Sequence, residues 1–503
     1  MRVPASAAAV AALAVAGCAV GPDYQRPEIG VPERFSARPG GVPVSSAEPA
    51  SERWWSNFRD PVLDDLVARA DLQNIDLRRA LLAIETYRAQ YTVDFSLLFP
   101  DMDTGLAYSR RRVDANQIGV PNPDALRTGF SNWQWNIASA YWELDVWGAV
   151  RRQIEAGVSS LQASAAQYRG ALVSVRAEVA AAYMTLRQLQ AQREAIRELA
   201  DGYDKLLYAI DAKVRHGAGS KTELAEVRSR RSSALGTARK FDGEVARQVA
   251  GIAILLGETP ERLRPMLEPV RPVPVVLESP SLGLPATLLL RRPDVQSAER
   301  NLQAATAAIG IAEAGYLPRF SFTGNFIVQT PDFANLTDVS KNMTYGITPA
   351  VSWNFMNLLT GRAQAQVTQA KVAAADALLR YQLAVVTAVN QVESSVLAYA
   401  AARDARADFV SAAQEIDAAY KLAFLQYDRG TVDLTRLIQF LQATVEARDG
   451  LAQANGLTAL NYVELYRSLG GGWESTPMPV PVEDVGRTFN PAPKANDFLA
   501  PAS

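Results

Sequence analysis

Cysteine and histidine, which carry much of the chemistry of proteins, occur once each in the 503 residues, as Cys18 and His216. A zinc or haem site of the usual His and Cys kind is therefore not expected, and no disulfide can form within the chain. The sequence also lacks a glycine-rich phosphate loop and a nucleophile elbow, which argues against an enzyme. We interpret His216 as a solvated turn residue, although an imidazole can act as a pH switch.

The position of Cys18 defines the chemistry expected of its thiol. Met1 and Arg2 give a short positive start, residues 7–16 form a small apolar run, and Gly17 precedes the cysteine. This is the shape of an export signal, and it is shorter than the roughly 18 apolar residues that a membrane-spanning helix needs. We find no later stretch of that kind, so a membrane role would have to use strands, a lipid anchor or both.

The segment Val15–Cys18 resembles the lipobox of bacterial lipoproteins, with valine where leucine is more typical. In such proteins the signal is removed before the cysteine, whose thiol then receives lipid. We therefore predict a signal peptide at residues 1–17 and a covalent lipid on Cys18, with no other cofactor and no metal. Ala19 stands where an aspartate would indicate retention in the inner membrane. The alternative is an inert, buried thiol at the end of an uncleaved segment.

Charge gives no sign of a nucleic-acid partner. The chain has 51 basic and 53 acidic residues and a net charge of -2, whereas nucleic-acid binding would need a basic face.

Three pairs of landmarks recur in the same order along the chain and indicate an internal duplication. Asn74 to Pro100 is matched by Arg292 to Pro318, Trp142 to Arg151 by Trp353 to Arg362, and Gly217 to Leu224 by Gly430 to Leu437. The predicted organisation is a lipid-anchored extended segment at 18–60, a first structural repeat at 61–259, a linker at 260–292, a second repeat at 293–469 and a C-terminal tail at 470–503.

Each repeat carries a helical pattern with a period of 3.5 residues, which favours left-handed coiled coils. In the first repeat the apolar positions run from Ile154 through Leu172 to Leu189, and in the second from Leu378 to Tyr399. The helices would be far longer than in a globular domain, so they must pack along partners. An ordinary helical bundle remains an alternative.

Two strand-like runs interrupt the helical pattern of each repeat, with bulky apolar residues alternating with small or polar ones. This pattern predicts barrel strands with one face toward lipid and the other toward a water-filled lumen, although a sheet on a soluble core would also alternate. The residues predicted to face lipid are Leu106, Tyr108, Trp133, Trp135, Phe320, Phe322, Phe326, Tyr345, Ile347 and Trp353. Tyr141 is placed on the same face, and Pro349 is predicted to mark the end of the fourth strand.

Four strands cannot close a barrel, and an open edge in lipid leaves unpaired backbone groups that cost several kcal/mol each. The chain must therefore share its barrel with copies of itself. Three copies would give about twelve strands, whereas two would give about eight and leave little lumen.

Three motifs resemble the outer-membrane factor lipoproteins of the NodT/OprM type, relatives of the TolC exit ducts: Gly21–Pro27 after the lipobox, Leu144–Gly148 at a strand-to-helix turn, and Leu465–Trp473 at the end of the last helix. The resemblance implies a mostly α TolC-like fold in which a duplicated ββ-plus-long-helix repeat forms a trimeric, 12-stranded β-barrel on a coiled-coil α-barrel. It also implies a location in the outer membrane of a Gram-negative bacterium, with a large periplasmic part surrounded by a belt of the termini and linker. The implied partners are a periplasmic adaptor (membrane fusion protein), an inner-membrane pump that is often proton-driven, and outer-membrane lipid.

The same resemblance assigns roles to two turns between paired helices. Adaptor-docking tips would include Gly217, Gly219 and Ser220 at the first turn and Gly430, Thr431 and Val432 at the second. The tyrosine of the periplasmic gate is matched by Tyr427. Gln439 and Thr435 depart from the pattern of the family, so the gate here is assigned to Tyr427, Asp428, Arg429, Asp433 and Arg436.

The leading functional hypothesis is a passive exit duct of a tripartite efflux pump, which conducts drugs or other small toxic compounds from the periplasm to the exterior as a trimer. The alternatives are an exit duct for type I protein secretion and a periplasmic coiled-coil lipoprotein that forms no channel.

Overall fold

The computed structural model describes residues 19–30, 53–112, 129–216, 219–276, 291–474 and 476. This part of the chain is mostly helical, with one small sheet. The predicted signal peptide, the lipid on Cys18, Gly217 and the tail from residue 477 onward lie outside the described residues.

The first half contains helices α1 and α2, strands β1 and β2, and helices α3 and α4. Their bounds are Pro61–Gln73 for α1, Ile75–Ser96 for α2, Asp101–Arg112 for β1, Gly129–Leu144 for β2, Ala149–Arg215 for α3 and Lys221–Leu256 for α4. Helix α5 follows at Pro260–Leu267. The second half contains helix α6, strands β3 and β4, and helices α7 and α8. Their bounds are Pro293–Ala314 for α6, Arg319–Thr330 for β3, Met343–Ser352 for β4, Arg362–Asp428 for α7 and Leu434–Leu469 for α8. Short helical segments lie at Trp54–Phe58, Phe333–Thr337, Val339–Asn342 and Met356–Leu359.

The two halves match in the lengths of their helices, which establishes the duplicated plan. Helices α3 and α7 have 67 residues each, and α4 and α8 have 36 each. At 1.5 Å per residue, the long helices extend for about 100 Å. Each long helix begins after a glycine with positive φ, Gly148 at 79° and Gly361 at 72°, and each shorter one ends at another, Gly257 and Gly470, both at 66°. Glycine fits these positions because a Cβ disfavours positive φ.

The helices lie side by side with α3 in the middle. Helix α3 packs against α2 and α6 toward the sheet, and against α4 and α8 toward the other end. Helix α7 packs mainly against α6 and α8 and makes no extensive contact with the long helices beyond them. The order across the layer is thus α2–α3–α6–α7 near the sheet and α4–α3–α8–α7 farther away, which leaves α7 at one edge.

The buried residues of both long helices follow the predicted coiled-coil period. In α3 they include Leu161, Ala165, Tyr168, Leu172, Val175, Val179 and Leu186, and in α7 they include Tyr381, Val385, Ala388, Val392, Ser395 and Tyr399.

The segment before α1 and the end of α8 form an aromatic cluster halfway along the helices. The ring of Trp54 stacks on Tyr466 with centroids 5.7 Å apart, and Phe58 meets Tyr462 edge-on at 5.2 Å. Asp60 caps α1 by accepting a hydrogen bond from the Val62 amide at 2.9 Å. The N-terminal part of the chain is therefore fastened to α8 near the C-terminal end of the described chain.

Candidate functional site

The sheet is a single antiparallel layer in the order β1-β2-β3-β4. Its outer strands, β1 and β4, each pair on one side only within this chain. Each therefore presents a row of backbone N–H and C=O groups along its free edge. The four strands come from both repeats, so both halves of the chain build the sheet.

The register of the sheet places every strand residue predicted to face lipid on the same face. Leu106 lies opposite Trp135, Tyr108 opposite Trp133, and Phe326 opposite Tyr345. The rings of Tyr108 and Trp133 are 4.7 Å apart. Phe320, Phe322 and Ile347 continue this face, and Trp353, just beyond β4, donates its indole N–H to the Tyr316 carbonyl at 3.0 Å. We call this surface the aromatic face.

A bulge in β2 changes which residues belong to the aromatic face. The pairing of β2 shifts between Asn136 and Ala138, so the side-chain alternation changes phase there. Tyr141 lies opposite Thr323 and points away from the aromatic face, so its predicted placement was wrong. Trp142 takes that position instead, opposite Phe322, with ring centroids 6.5 Å apart.

Pro349 does not end the fourth strand, contrary to the prediction. It lies opposite Phe322, and β4 continues to Ser352. Within this chain β4 is an edge strand, the position in a sheet where proline is tolerated.

The N-terminal segment Ala19–Gly30 lies along the helices just below the sheet. The Val20 amide donates to the Trp147 carbonyl at 3.0 Å, and Arg152 donates to Asp23 at 2.7 Å. Ala19 packs so closely on Gly148 that a Cβ there would lie 2.7 Å from the Ala19 Cα. The first described residue is thus held at the junction between β2 and α3.

The two helical turns lie at the ends of α3 and α7 that are farthest from the sheet. At the first turn, Ser220 caps α4 by accepting a hydrogen bond from the Thr222 amide at 3.1 Å. At the second, Gly430 has a φ of 73°, and the Thr431 amide donates to the Gln426 carbonyl at 3.0 Å. The second turn is thus closed by a local hydrogen bond, and the described end of the first turn is a capped helix start.

The polar residues assigned to the gate surround the second turn but do not form an ionic cluster there. Asp433 caps α8 and accepts a hydrogen bond from the Arg436 amide at 2.7 Å. The Arg436 guanidinium lies 5.0 Å from the ring of Phe440. Asp428 and Arg429 occupy the last turn of α7 and its C-cap. Among the described residues, the carboxylate of Asp433 thus has a role in capping a helix.

Two contacts near the helix ends that are farthest from the sheet were not predicted from the sequence. The Lys213 ammonium of α3 lies 4.6 Å from the ring of Tyr427, which is a cation–π distance. Arg448 of α8 binds Glu198 of α3 and, at 2.8 Å, Asp417 of α7. Arg448 therefore joins three helices on the side of the long helices that is away from the sheet. Each contact joins residues that are far apart in the sequence, so no local pattern indicates it.

A family model described as outer membrane efflux protein matches residues 66–258 and 284–471. The matched residues include both repeats and make up well over half of the chain. The chain belongs to the outer membrane efflux protein family.

The relatives of this family member cover nearly its whole length. It is 29% identical over 478 residues to a toluene efflux pump outer membrane protein, TtgF of Pseudomonas putida, covering 92% of this chain and 96% of that protein. It is 25% identical over 480 residues to the cation efflux system protein CusC of Escherichia coli, covering 92% and 97%. Among solved structures, the outer-membrane channel OprN matches with a TM-score of 0.81 and 27% identity, covering 91% of this chain and all 100% of the other.

The family member is an outer-membrane efflux channel with a TolC-like fold and a large periplasmic helical part, and it is not an enzyme. The hypothesis of a coiled-coil lipoprotein without a channel is therefore set aside. Channels of tripartite pumps work as trimers with an adaptor and an inner-membrane pump, so family membership implies partners of these kinds.

Helix α7 contains an apolar segment that was not expected from the sequence. Helix α7 is long and apolar enough to cross a membrane by length and composition, although only 17% of its most apolar window is buried in this chain. From its start near the sheet to just past its middle, α7 exposes the large apolar residues Val372, Leu379, Leu383, Val386 and Leu397. We call these residues the α7 stripe.

Proposed function

We propose that three copies of this chain form one duct, with a shared barrel of about twelve strands continued by the helices. The free edges of β1 and β4 carry this proposal. In lipid, each unpaired backbone group would cost several kcal/mol, and pairing β4 of one copy with β1 of the next removes every edge. The aromatic face would then be directed outward to lipid, with Trp133, Tyr345 and Trp353 at the level of the lipid headgroups.

The α7 stripe supports the same assembly in the helical part. An exposed apolar surface of this extent marks an interaction site in a folded protein. Helix α2 lies at the opposite edge of the layer and also exposes apolar residues, among them Leu82, Tyr87 and Val93. In a closed ring of copies, the α7 stripe of one subunit would pack against α2 of the next, at the same distance from the sheet.

The first described residues support a lipid anchor on Cys18. Ala19 is held against Gly148, where β2 leaves the sheet and α3 begins. In the proposed barrel, this junction lies at the periplasmic surface of the outer membrane. A lipid attached to the neighbouring cysteine would therefore enter the inner leaflet without a spacer, and each buried methylene would contribute about 0.8 kcal/mol.

The periplasmic end would hold the adaptor and the gate. The docking tips are Gly217, Gly219 and Ser220 at the first turn and Gly430, Thr431 and Val432 at the second. We assign the gate to Tyr427, Asp428, Arg429, Asp433 and Arg436, and we add Lys213 because its ammonium lies on the ring of Tyr427. Since Arg448 joins α3, α7 and α8, it would hold the helices together until the adaptor engages the tips.

The substrates would be drugs or other small toxic organic compounds, supplied by an inner-membrane pump that is often proton-driven. The relative named for toluene efflux is 29% identical to this chain and the relative named for cation efflux 25%, which favours organic substrates. Among the described residues, no group of three or more His, Cys, Asp or Glu side chains could hold a metal ion. The duct itself supplies no energy and opens an aqueous path.

Native mass measurement of the detergent-solubilised protein, combined with single-channel recording, tests the proposal. We expect the mass of three lipid-bearing chains. We also expect that a single assembly of this mass conducts ions in the recording. A stable monomer without conductance would overturn the shared barrel.

The anchor and the gate are tested by separate variants. Cys18→Ser should abolish labelling by radioactive palmitate, and labelling equal to the wild type would contradict the anchor.

Arg448→Met should raise the fraction of time in which the channel is open. Arg230→Met, which removes an exposed pair with Glu226 within α4, is the matched control and should leave that fraction unchanged. Equal opening in the two variants would contradict the role of Arg448.

A further inference from the structure

Strand β1 ends in three consecutive arginines, Arg110, Arg111 and Arg112. The strand begins at Asp101, directly after helix α2, so this end of β1 is the one farthest from the helices. If the sheet spans the outer membrane as proposed above, these arginines reach the outer leaflet. The inference below rests on that proposed function.

The alternation of the strand sends neighbouring arginines to opposite faces. Arg110 lies opposite Ser131, two residues beyond the pair of Tyr108 and Trp133, and it therefore belongs to the aromatic face. Arg111 lies opposite Phe130 and points to the other face, with Ser109. Both side chains are exposed. The strand thus provides a lipid-side arginine and a lumen-side arginine that differ by one position.

The level of Arg110 along the strand is set by its aromatic neighbours. Tyrosine and tryptophan concentrate at the membrane–water interface, and the rings of Tyr108 and Trp133 are 4.7 Å apart there. Two further residues along a strand add about 7 Å. The guanidinium of Arg110 therefore lies beyond the apolar band, among the headgroups, where an arginine costs only about 0–1 kcal/mol rather than the 2–4 kcal/mol of the midplane.

The surroundings of Arg110 favour an anionic partner from outside the chain. The residues opposite Arg110 and Arg111 on β2 are Ser131 and Phe130, and neither carries a negative charge. Strand β4, which would lie next to β1 in the trimer, contains no acidic residue. A guanidinium presents its donors as a planar fork that matches two oxygens of a phosphate.

We propose that Arg110 is a binding site for the phosphate groups of lipids in the outer leaflet of the outer membrane, with one such site at each β4–β1 seam of the trimer. The site would fix the depth of the barrel in the membrane and fasten the seam between subunits from outside. Arg111, which faces the lumen, would not take part.

The test measures lipid retention by native mass spectrometry of the full-length trimer in detergent. The probes are a phosphorylated glycolipid, the same glycolipid without phosphate, and inorganic phosphate as competitor. We expect Arg110→Gln to lower occupancy by the phosphorylated glycolipid about tenfold, because a hydrogen-bonded charge pair is lost. Arg111→Gln, the matched control, should retain wild-type occupancy. Arg110→Lys should fall between them, because lysine keeps the charge but not the fork.

Several outcomes would overturn the site. Wild-type occupancy in Arg110→Gln, equal losses in both glutamine variants, or equal retention of the dephosphorylated glycolipid would each contradict it. Displacement by millimolar inorganic phosphate alone would identify a general anion site rather than a lipid site and would also contradict it. If trimer mass and conductance persist in these cases, the proposed duct stands and only the lipid site fails. Loss of trimer and conductance in the wild type would instead overturn the duct and the site together.

Discussion

The long helices of the two repeats, α3 and α7, have the same length, and each begins after a glycine with positive φ. Their surroundings nevertheless differ. Helix α3 lies in the middle of the layer and buries residues along its whole length, whereas α7 lies at an edge and buries far fewer. Counting from the start of each helix, Arg176, Tyr183 and Arg187 of α3 correspond to Val389, Val396 and Ala400 of α7. The first long helix is thus packed within its own chain along its whole length, whereas the second leaves the α7 stripe exposed, where we propose contact with a neighbouring subunit.

The difference between α3 and α7 is explained by the segments that lie on the polar residues of α3. Arg176 binds Asp71 at 2.7 Å and lies 5.1 Å from the ring of Trp55. Arg187 is fully buried and donates to the Pro269 carbonyl at 2.7 Å, from the segment after α5. The Trp54–Phe58 segment, α1 and the segment after α5 therefore form a polar cover on α3. Helix α7 is covered by its own chain only in part, for example where Tyr399 donates to the Val276 carbonyl at 2.8 Å. The α7 stripe stays exposed, and we propose that it packs against a second subunit.

The largest expected effect is on the packing of α3 within its own chain. Leu186 is 0% exposed, so Leu186→Ala should lower the free energy of unfolding of the subunit by about 2–5 kcal/mol. Denaturant unfolding in detergent measures this loss. Leu383→Ala in α7, where the side chain is 65% exposed in the single chain, should leave subunit unfolding nearly unchanged. Equal losses at the two positions would refute the contrast between the helices.

The strands test the assignment of the two faces of the sheet, to which both repeats contribute. Phe322→Arg should destabilise the assembled barrel by about 2–4 kcal/mol if this residue faces the middle of the bilayer. Thr323→Arg, its neighbour on the opposite face, should be tolerated, because its side chain would lie in the lumen. Resistance of the trimer to detergent and heat measures both. A barrel as stable in Phe322→Arg as in the wild type would reverse the assignment of faces.

The α7 stripe gives a smaller effect, which is confined to assembly. Leu383→Glu should weaken association of the subunits roughly 10- to 100-fold, because it removes the burial of a leucine at the proposed interface. Leu383→Met is the conservative control and should assemble normally. The dissociation constant follows from native mass spectra over a dilution series. Unchanged association in Leu383→Glu would place the interface elsewhere.

The smallest effect concerns the polar cover of α3 at high pH. Burial and a hydrogen bond from Tyr183 to Asp60 raise the pKa of the Tyr183 phenol to about 12. A phenol with a raised pKa in the folded state stabilises the fold below pH 10, and this contribution is lost as the pH rises toward 12. The free energy of unfolding should therefore fall over this window, and Tyr183→Phe should show a weaker fall. An identical pH dependence in the two proteins would contradict this origin.

Much of the fold was predictable because it depends on local periodicity. The 3.5-residue pattern from Ile154 to Leu189 identified α3, and the alternation around Trp133 and Phe322 identified strands with one apolar face. The phase change in β2 was not predictable, since a bulge at Ile137 leaves no periodic signal and shifts Tyr141 to the other face. The helix-capping role of Asp433 could have been found, because an aspartate just before a helical run is a frequent N-cap.

The sequence by itself determined the duplication, the long helices, the apolar strand faces and the family, because each depends on residues that are neighbours in the chain or recur at a fixed period. Only the tertiary structure decided that α3 is central and α7 peripheral, that Lys213 meets Tyr427, and that Arg448 joins three helices. These contacts join residues far apart in the chain, and the packing of whole helices fixes which side chains are covered.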